Sequence, residues 1–238
     1  MIFSFSRLNL YEQCPYRFFN KYILKKDEPI TQPLALGKAV HKAIEDKIKG
    51  IDHEQAVLNG YMEAEFHKEL SYDDISKLTA KAPVQRGMGE TELYFKLPLS
   101  SKENAPMIQG YIDVVQPNGT IIDWKTNRIS YGVQDTQQLA LYCWAVSRIK
   151  NIGNIRGSYY FLRFRKESSD LFSHERMDEA RCWALHLANE INEKLDLYEI
   201  FPNKYKELFP ARSSRYCNHC PFSVECINTF NPFVKETS

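Results

Sequence analysis

Up to about residue 88 the apolar positions return every three or four residues, the period of helices that bury one face. SRLNLYEQCPYRFFNKYI, residues 6–23, predicts a helix with Ser6 as its N-cap. LALGKAVHKAIEDKI, residues 34–48, predicts a second that stops at Gly50. HEQAVLNGYMEAEFHKEL, residues 53–70, predicts a third, and ISKLTAKAPVQRGM, residues 75–88, a weaker fourth broken by Pro83. The period then changes. ETELYFKLPL (90–99), PMIQGYIDVVQ (106–116) and GTIIDWKT (119–126) are short, rich in β-branched and aromatic residues, and predict strands. VQDTQQLALYCWAVSRI (133–149) predicts a helix, GSYYFLRF (157–164) a strand, and about Met177 to Leu197 a long amphipathic helix. Helices, a three-strand meander, helix, strand and helix predict an α/β sandwich with a mixed central sheet flanked by helices, not an alternating doubly wound fold.

Composition narrows the class without choosing a partner. The 238 residues, 43% hydrophobic and 26% charged, suit one soluble domain over 1–238. A formal net charge of +1 excludes binding of nucleic acid by bulk charge, so any such partner must meet a local groove. No signal peptide or membrane-length apolar run stands in the sequence, so no membrane partner is expected. Six cysteines without an export signal predict reduced thiols or metal ligands in an intracellular, cytoplasmic protein. Cys143 and Cys182 fall among apolar positions of predicted helices and read as small hydrophobes. Cys217, Cys220 and Cys226, spaced C-x2-C-x5-C, supply three of the four ligands that zinc or an iron–sulfur cluster takes. His219 is a local candidate for the fourth, though its adjacency to Cys220 makes joint ligation of one metal awkward.

The turn Gln-Pro-Asn-Gly-Thr, residues 116–120, sets the chemistry. As a two-residue Asn-Gly loop it would pair Val114 with Asp123 and turn Asp113 to the other face. As a three-residue loop, Pro117 presets a type I turn, Gly119 takes the left-handed position, and Asp113 stands opposite Asp123. Pro117 favours the second. Lys125 then shares their face with Val115 and Ile121, while Ile122 and Trp124 turn away. Two facing carboxylates repel unless a cation lies between them, and hard oxygen ligands suit Mg²⁺ or Mn²⁺. The plain alternative is a solvated ion-pair cluster. Glu90 and Glu92, alternating on the preceding strand, could lie near the metal, but edge-strand charge is the first reading.

G-x-x-D at Gly110–Asp113 followed by D-x-K at Asp123–Lys125 resembles the PD-(D/E)XK nuclease superfamily. SFSRLNLYEQCPYRFFNKYIL with its Cys-Pro pair, the G-x3-H of Gly37 and His41, the Q-x3-Y of Gln138 and Tyr142, and C-x2-C-x5-C resemble its RecB-like branch, in that branch's order from about residue 5 to 227. AddB-type recombination nucleases and CRISPR-associated RecB-like exonucleases belong there. The resemblance implies a restriction-endonuclease-like core over about 33–200. It implies N-terminal helices (about 5–25) and a C-terminal tail (about 210–228) joined by a four-Cys cluster of Cys14, Cys217, Cys220 and Cys226. That site would hold [4Fe–4S], with zinc as the lesser alternative. It further implies Mg or Mn held by His41, Asp113, Asp123 and the Trp124 main-chain carbonyl, with Lys125, Gln138 and Tyr142 completing the catalytic set. The implied activity is a metal-dependent deoxyribonuclease, an exonuclease on single-stranded DNA ends in CRISPR adaptation or recombination and repair, working beside a separate helicase or CRISPR adaptation proteins. Two other classes stay open: a non-catalytic DNA-end or protein-binding module on the same scaffold, and a zinc-stapled interaction protein with an incidental acidic face.

Overall fold

Ser4, Asp52 and Ser71 each turn a side-chain oxygen onto the backbone N–H three residues ahead, and a helix starts at each. Such a cap contributes about 1 kcal/mol. The computed structural model describes residues 1–230; residues 231–238 of the domain expected over 1–238 lie outside them. In chain order the elements begin with β1 (Ile2–Phe3), α1 (Phe5–Gln13), α2 (Pro15–Phe18), α3 (Gln32–Ile48), α4 (His53–Glu63) and α5 (Tyr72–Thr79). There follow β2 (Glu90–Pro98), β3 (Met107–Val115), β4 (Ile121–Lys125), α6 (Gln138–Lys150), β5 (Ile155–Phe161) and β6 (Lys166–Phe172). The chain continues through α7 (His174–Ile200), α8 (Tyr205–Leu208) and α9 (Ser223–Phe230). It divides into two compact units: residues 1–29, 98–108 and the described residues from 183 form one, and residues 30–97 and 109–182 the other.

The second unit holds the expected mixed sheet. β2 pairs with β3, β3 runs antiparallel to β4, β4 parallel to β5, and β5 antiparallel to β6. Ala39, Val40, Ala43 and Ile44 recur at helical spacing on α3 and pack with Val114, Trp124 and Leu162 in one apolar core. Gly157 pairs with Ile121, whose side chain points to the sheet face opposite that of Ile122 and Trp124. A Cβ at Gly157 would stand 2.8 Å from Leu139 Cγ and 3.0 Å from Cys143 Sγ, so α6 presses on that second face. Cys143 is fully buried there, whereas Cys182 is exposed.

In the first unit aromatic residues of the N-terminal helices meet the later segments. The Tyr11 hydroxyl donates to Glu190 at 2.7 Å, Phe19 stacks on Phe209 with ring centroids 4.8 Å apart, and Tyr16 meets Phe230 edge-on at 4.9 Å. β1 pairs in parallel with Met107 and Ile108.

Several boundaries depart from the sequence pattern. The first helix is capped by Ser4, not Ser6, and breaks at Cys14, whose extended backbone (φ −159°) is what a residue before proline adopts. The third and fourth helices end early, at Glu63 and Thr79. Residues 133–137 are not helical, because the Asp135 carboxylate accepts the Gly132 N–H at 2.6 Å and closes a local turn instead. β6 was not expected: KESSDLF has no apolar alternation, and among the described residues it pairs only with β5 at the sheet's end, where exposed polar residues suffice. Among the described residues no helix is long and apolar enough to cross a membrane.

Candidate functional site

The β3–β4 turn is the three-residue loop. The Gly119 N–H donates to the Gln116 carbonyl at 2.8 Å, the Gln116 N–H to the Thr120 carbonyl at 2.8 Å, and Gly119 has φ +84°. Val115 pairs with Ile121 and Val114 with Ile122, a register that one step further sets Asp113 opposite Asp123. There the ladder gives way: the Trp124 N–H donates to Asp113 Oδ2 at 2.8 Å in place of a backbone partner. Asp113 is thus tied to the neighbouring strand by its side chain, next to Asp123.

Lys125 is held from three sides. Its Nζ lies 2.6 Å from Asp123 Oδ2, donates to Gln138 Oε1 at 2.9 Å, and sits 4.7 Å above the Tyr159 ring. Gln138 Nε2 in turn donates to the Tyr142 hydroxyl at 3.5 Å, so the one-turn spacing of Gln138 and Tyr142 on α6 makes a chain of contacts ending at Lys125. Burial opposes the charge on Lys125, but Asp123 outweighs it and raises the ammonium's pKa. Burial pushes the Asp123 carboxyl up, against the pull of Lys125 and with the help of neighbouring Asp113. Asp123 Oδ2 is buried and accepts no hydrogen bond; the Lys125 contact is close but not in a hydrogen-bonding direction.

His41 enters from α3. Its Nδ1 is 3.3 Å from Asp113 Oδ1; burial alone would lower its pKa, and the Asp113 carboxylate pushes it up to about 9. Asp113 is lowered in return, the His41 charge and the Trp124 N–H outweighing burial. His41, Glu92, Asp113, Trp124 and Lys125 line one cavity of about 810 Å³, whereas Asp123, Gln138 and Tyr142 stand behind Lys125 and do not line it. Gly37, one turn before His41, also lines it; a Cβ there would make an ordinary 3.7 Å contact with Thr126.

Of the two glutamates on β2, Glu90 is the edge-strand charge expected first, and Glu92 takes the alternative place beside the site. Glu90 pairs with Lys150 at 3.2 Å on the exposed side, but Glu92 has φ +53° and is half-buried in the cavity wall. Burial first, then the Asp113 charge, push its pKa up to about 7. Strand alternation was the only available signal, and a left-handed non-glycine residue breaks it without any mark in the sequence.

Among the described residues no three His, Cys, Asp or Glu are grouped as a bound metal ion would hold them. The donor set nevertheless fits a hard divalent ion: an imidazole and two carboxylates, one of which, Asp123, has a buried oxygen that lacks a hydrogen bond. Cys14, Cys217 and Cys220 line a second, small cavity of about 30 Å³ together with Arg17 and Arg212. Burial, then the charges of Cys14, Cys220 and Cys217, push the Cys226 thiol up. All four are free cysteines of the first unit. His219 does not line that cavity.

Comparison with known proteins follows the same lines. The family model of the PD-(D/E)XK nuclease superfamily matches residues 2–227. No curated protein matches the chain. A crystal structure from Eubacterium rectale, described as a "Putative exonuclease", is similar with TM-score 0.53 and 13% identity, over 92% of this chain and 86% of that one. The crystal structure of SSO0001 aligns over 92% of this chain and 93% of its own, with TM-score 0.34 and 15% identity. At such identities the first likeness speaks for the fold alone, and the second carries no weight.

Proposed function

The chain belongs to the PD-(D/E)XK nuclease superfamily, and from that premise we propose that it is a metal-dependent deoxyribonuclease acting on single-stranded DNA ends. The observation that carries this reading is the assembly of Asp113, Asp123 and Lys125 at the β3–β4 hairpin, with a buried Asp123 oxygen lacking a hydrogen bond. His41, Asp113, Asp123 and the Trp124 carbonyl would hold Mg²⁺ or Mn²⁺. Such an ion polarises the scissile phosphate and lowers the pKa of water.

The chain's own residues do the rest. Asp113 is fixed by the Trp124 N–H and by His41, so its free lone pairs have one orientation. Lys125, braced by Gln138 and the Tyr159 face, presents a cation at the cavity wall where an attacking water and the developing phosphorane charge would lie. We assign it to positioning and charge stabilisation. Gln138 and Tyr142 hold Lys125 in place and act through it. Digestion of 5′- and 3′-labelled single strands with Mn²⁺ or Mg²⁺ tests the reading and gives the polarity; a wild-type protein that leaves both labels intact would remove it.

The finer assignment is to the RecB-like branch. Its support is the motif order together with three of its four cysteines around one small cavity and the fourth close enough for their charges to act on it. Cys14, Cys217, Cys220 and Cys226 would hold [4Fe–4S], a structural staple, since phosphodiester hydrolysis consumes no electrons. Protein purified anaerobically should be brown and contain iron; a colourless preparation with stoichiometric zinc would rule the cluster out. CRISPR adaptation or recombination and repair, with a separate helicase supplying single strands, is the role we infer from that branch.

A further inference from the structure

A smaller cavity of about 250 Å³ adjoins the catalytic one, and the two share Gln32, Leu36, Arg128 and Arg163 in their walls. Its other lining includes Lys77, Lys81 and Asp74. Lys77 is neutralised by Asp73 on the preceding turn of α5. Lys81, Arg128 and Arg163 are different, since among the described residues none of the three has an ion-pair partner. Lys81 Nζ reaches only the Arg163 carbonyl, at 3.5 Å. Arg163 uses Nε alone, donating to the Thr126 carbonyl at 2.9 Å just beyond β4, which leaves its terminal N–H groups uncommitted. Arg128 is exposed.

The neighbouring cations are spent within the protein. Lys42 lies 3.0 Å from Glu45 and 2.9 Å from Asp46, Lys38 lies 3.3 Å from Glu63, and Lys125 pairs with Asp123. In a chain of net charge +1, three unpaired cations against the single carboxylate of Asp74 at one recess are a local excess that favours a polyanion. Arg presents a fork suited to phosphate oxygens, and Lys a point charge.

We propose that this recess binds backbone phosphates of the nucleic-acid strand adjoining the scissile phosphate, with Lys81, Arg128 and Arg163 as the phosphate ligands. The strand's identity rests on the nuclease reading; the subsite rests on the cavity and its cations. Because the recess lies to one side of the catalytic cavity, it holds the strand on one side of the cut, and substrates too short to reach it lose affinity.

The test compares the full-length protein with the Lys81→Ala/Arg128→Ala variant, leaving Arg163 in place because it braces Thr126. Binding of a fluorescein-labelled oligothymidylate is followed by anisotropy in EDTA across a salt series. Hydrolysis of bis-p-nitrophenyl phosphate, which cannot span both cavities, is followed with Mn²⁺. The variant should bind roughly tenfold more weakly, and its log K against log[salt] slope should be shallower by about 1.4, or about 0.7 for each phosphate contact removed. Wild-type hydrolysis of bis-p-nitrophenyl phosphate reports on the nuclease reading separately, and Lys81→Arg/Arg128→Lys should restore the slope. Unchanged affinity and slope would overturn the subsite while leaving the nuclease reading intact. Equal capture of a polyglutamate peptide through the same residues would overturn the assignment to a nucleic-acid strand. A wild-type protein that hydrolyses no phosphodiester, yet shows the slope difference, would support the subsite and sink the nuclease reading.

Discussion

Asp123 combines burial, a like-charged neighbour and an oxygen without a hydrogen bond, conditions that a bound cation relieves. Mn²⁺ should therefore raise the wild-type melting temperature, by an amount equivalent to about 2.7 kcal/mol at a hundredfold excess over Kd. Asp113→Asn and Asp123→Asn should lose most of that shift, which thermal melts with and without metal would measure. Glu92 makes the opposite case, as its charge is destabilised by burial and by Asp113. Glu92→Gln should melt no lower than wild type in EDTA, and a clear drop would mean that the carboxylate is anchored in a way its surroundings do not suggest. At this scale the sequence was most readable where chemistry follows a fixed spacing, as in Asp113, Asp123, Lys125, Gln138 and Tyr142. It could not decide between edge charge and a place near the metal for Glu92, whose orientation comes from one unusual φ, and it was silent on Arg163, which reaches the cavity from beyond β5.

The elements hold these side chains through close backbone approaches. Gly60 of α4 meets α3 so tightly that an added Cβ would lie 2.2 Å from the Ala39 carbonyl oxygen. Gly60→Ala should cost about 1–3 kcal/mol, measured by urea unfolding, and should weaken activity because α3 carries His41. Gly119→Ala meets both a left-handed backbone and Ile152 Cδ1 at 2.8 Å, and should cost about 1–2 kcal/mol. Gly37→Ala meets only an ordinary contact and should fold as the wild type does. The hairpin's register was legible because Pro117 and Gly119 admit few turn types. β6 was not, because a polar strand at the end of a sheet owes its existence to β5 and not to its own pattern.

For the whole molecule, the sequence shows the class of fold more readily than its long-range partnerships. The helical and strand periods foretold a mixed sheet flanked by helices, but no local pattern places Cys14 beside Cys217 and Cys220, and there the resemblance to a known family supplied the pairing. The first unit also carries a pH-sensitive contact of its own. Glu28 is nearly buried between Arg17 at 2.8 Å and Lys21 at 2.5 Å, which together outweigh burial and lower its pKa. Because the folded value lies below the unfolded one, the stability Glu28 contributes is fully present above the unfolded value of about 4.5 and is lost as pH falls through the folded value. Glu28→Gln should flatten the acid limb of the stability profile, as followed by urea melts below pH 5. The central claim concerns phosphodiester hydrolysis, and its most direct measurement is the Mn²⁺-dependent rate of nucleotide release from an end-labelled single strand. Wild type should degrade the strand only with Mn²⁺ or Mg²⁺, and Asp113→Asn, Asp123→Asn and Lys125→Ala should each be slower by about a hundredfold or more. Undiminished release by any of the three variants, or no release by the wild type, would contradict it.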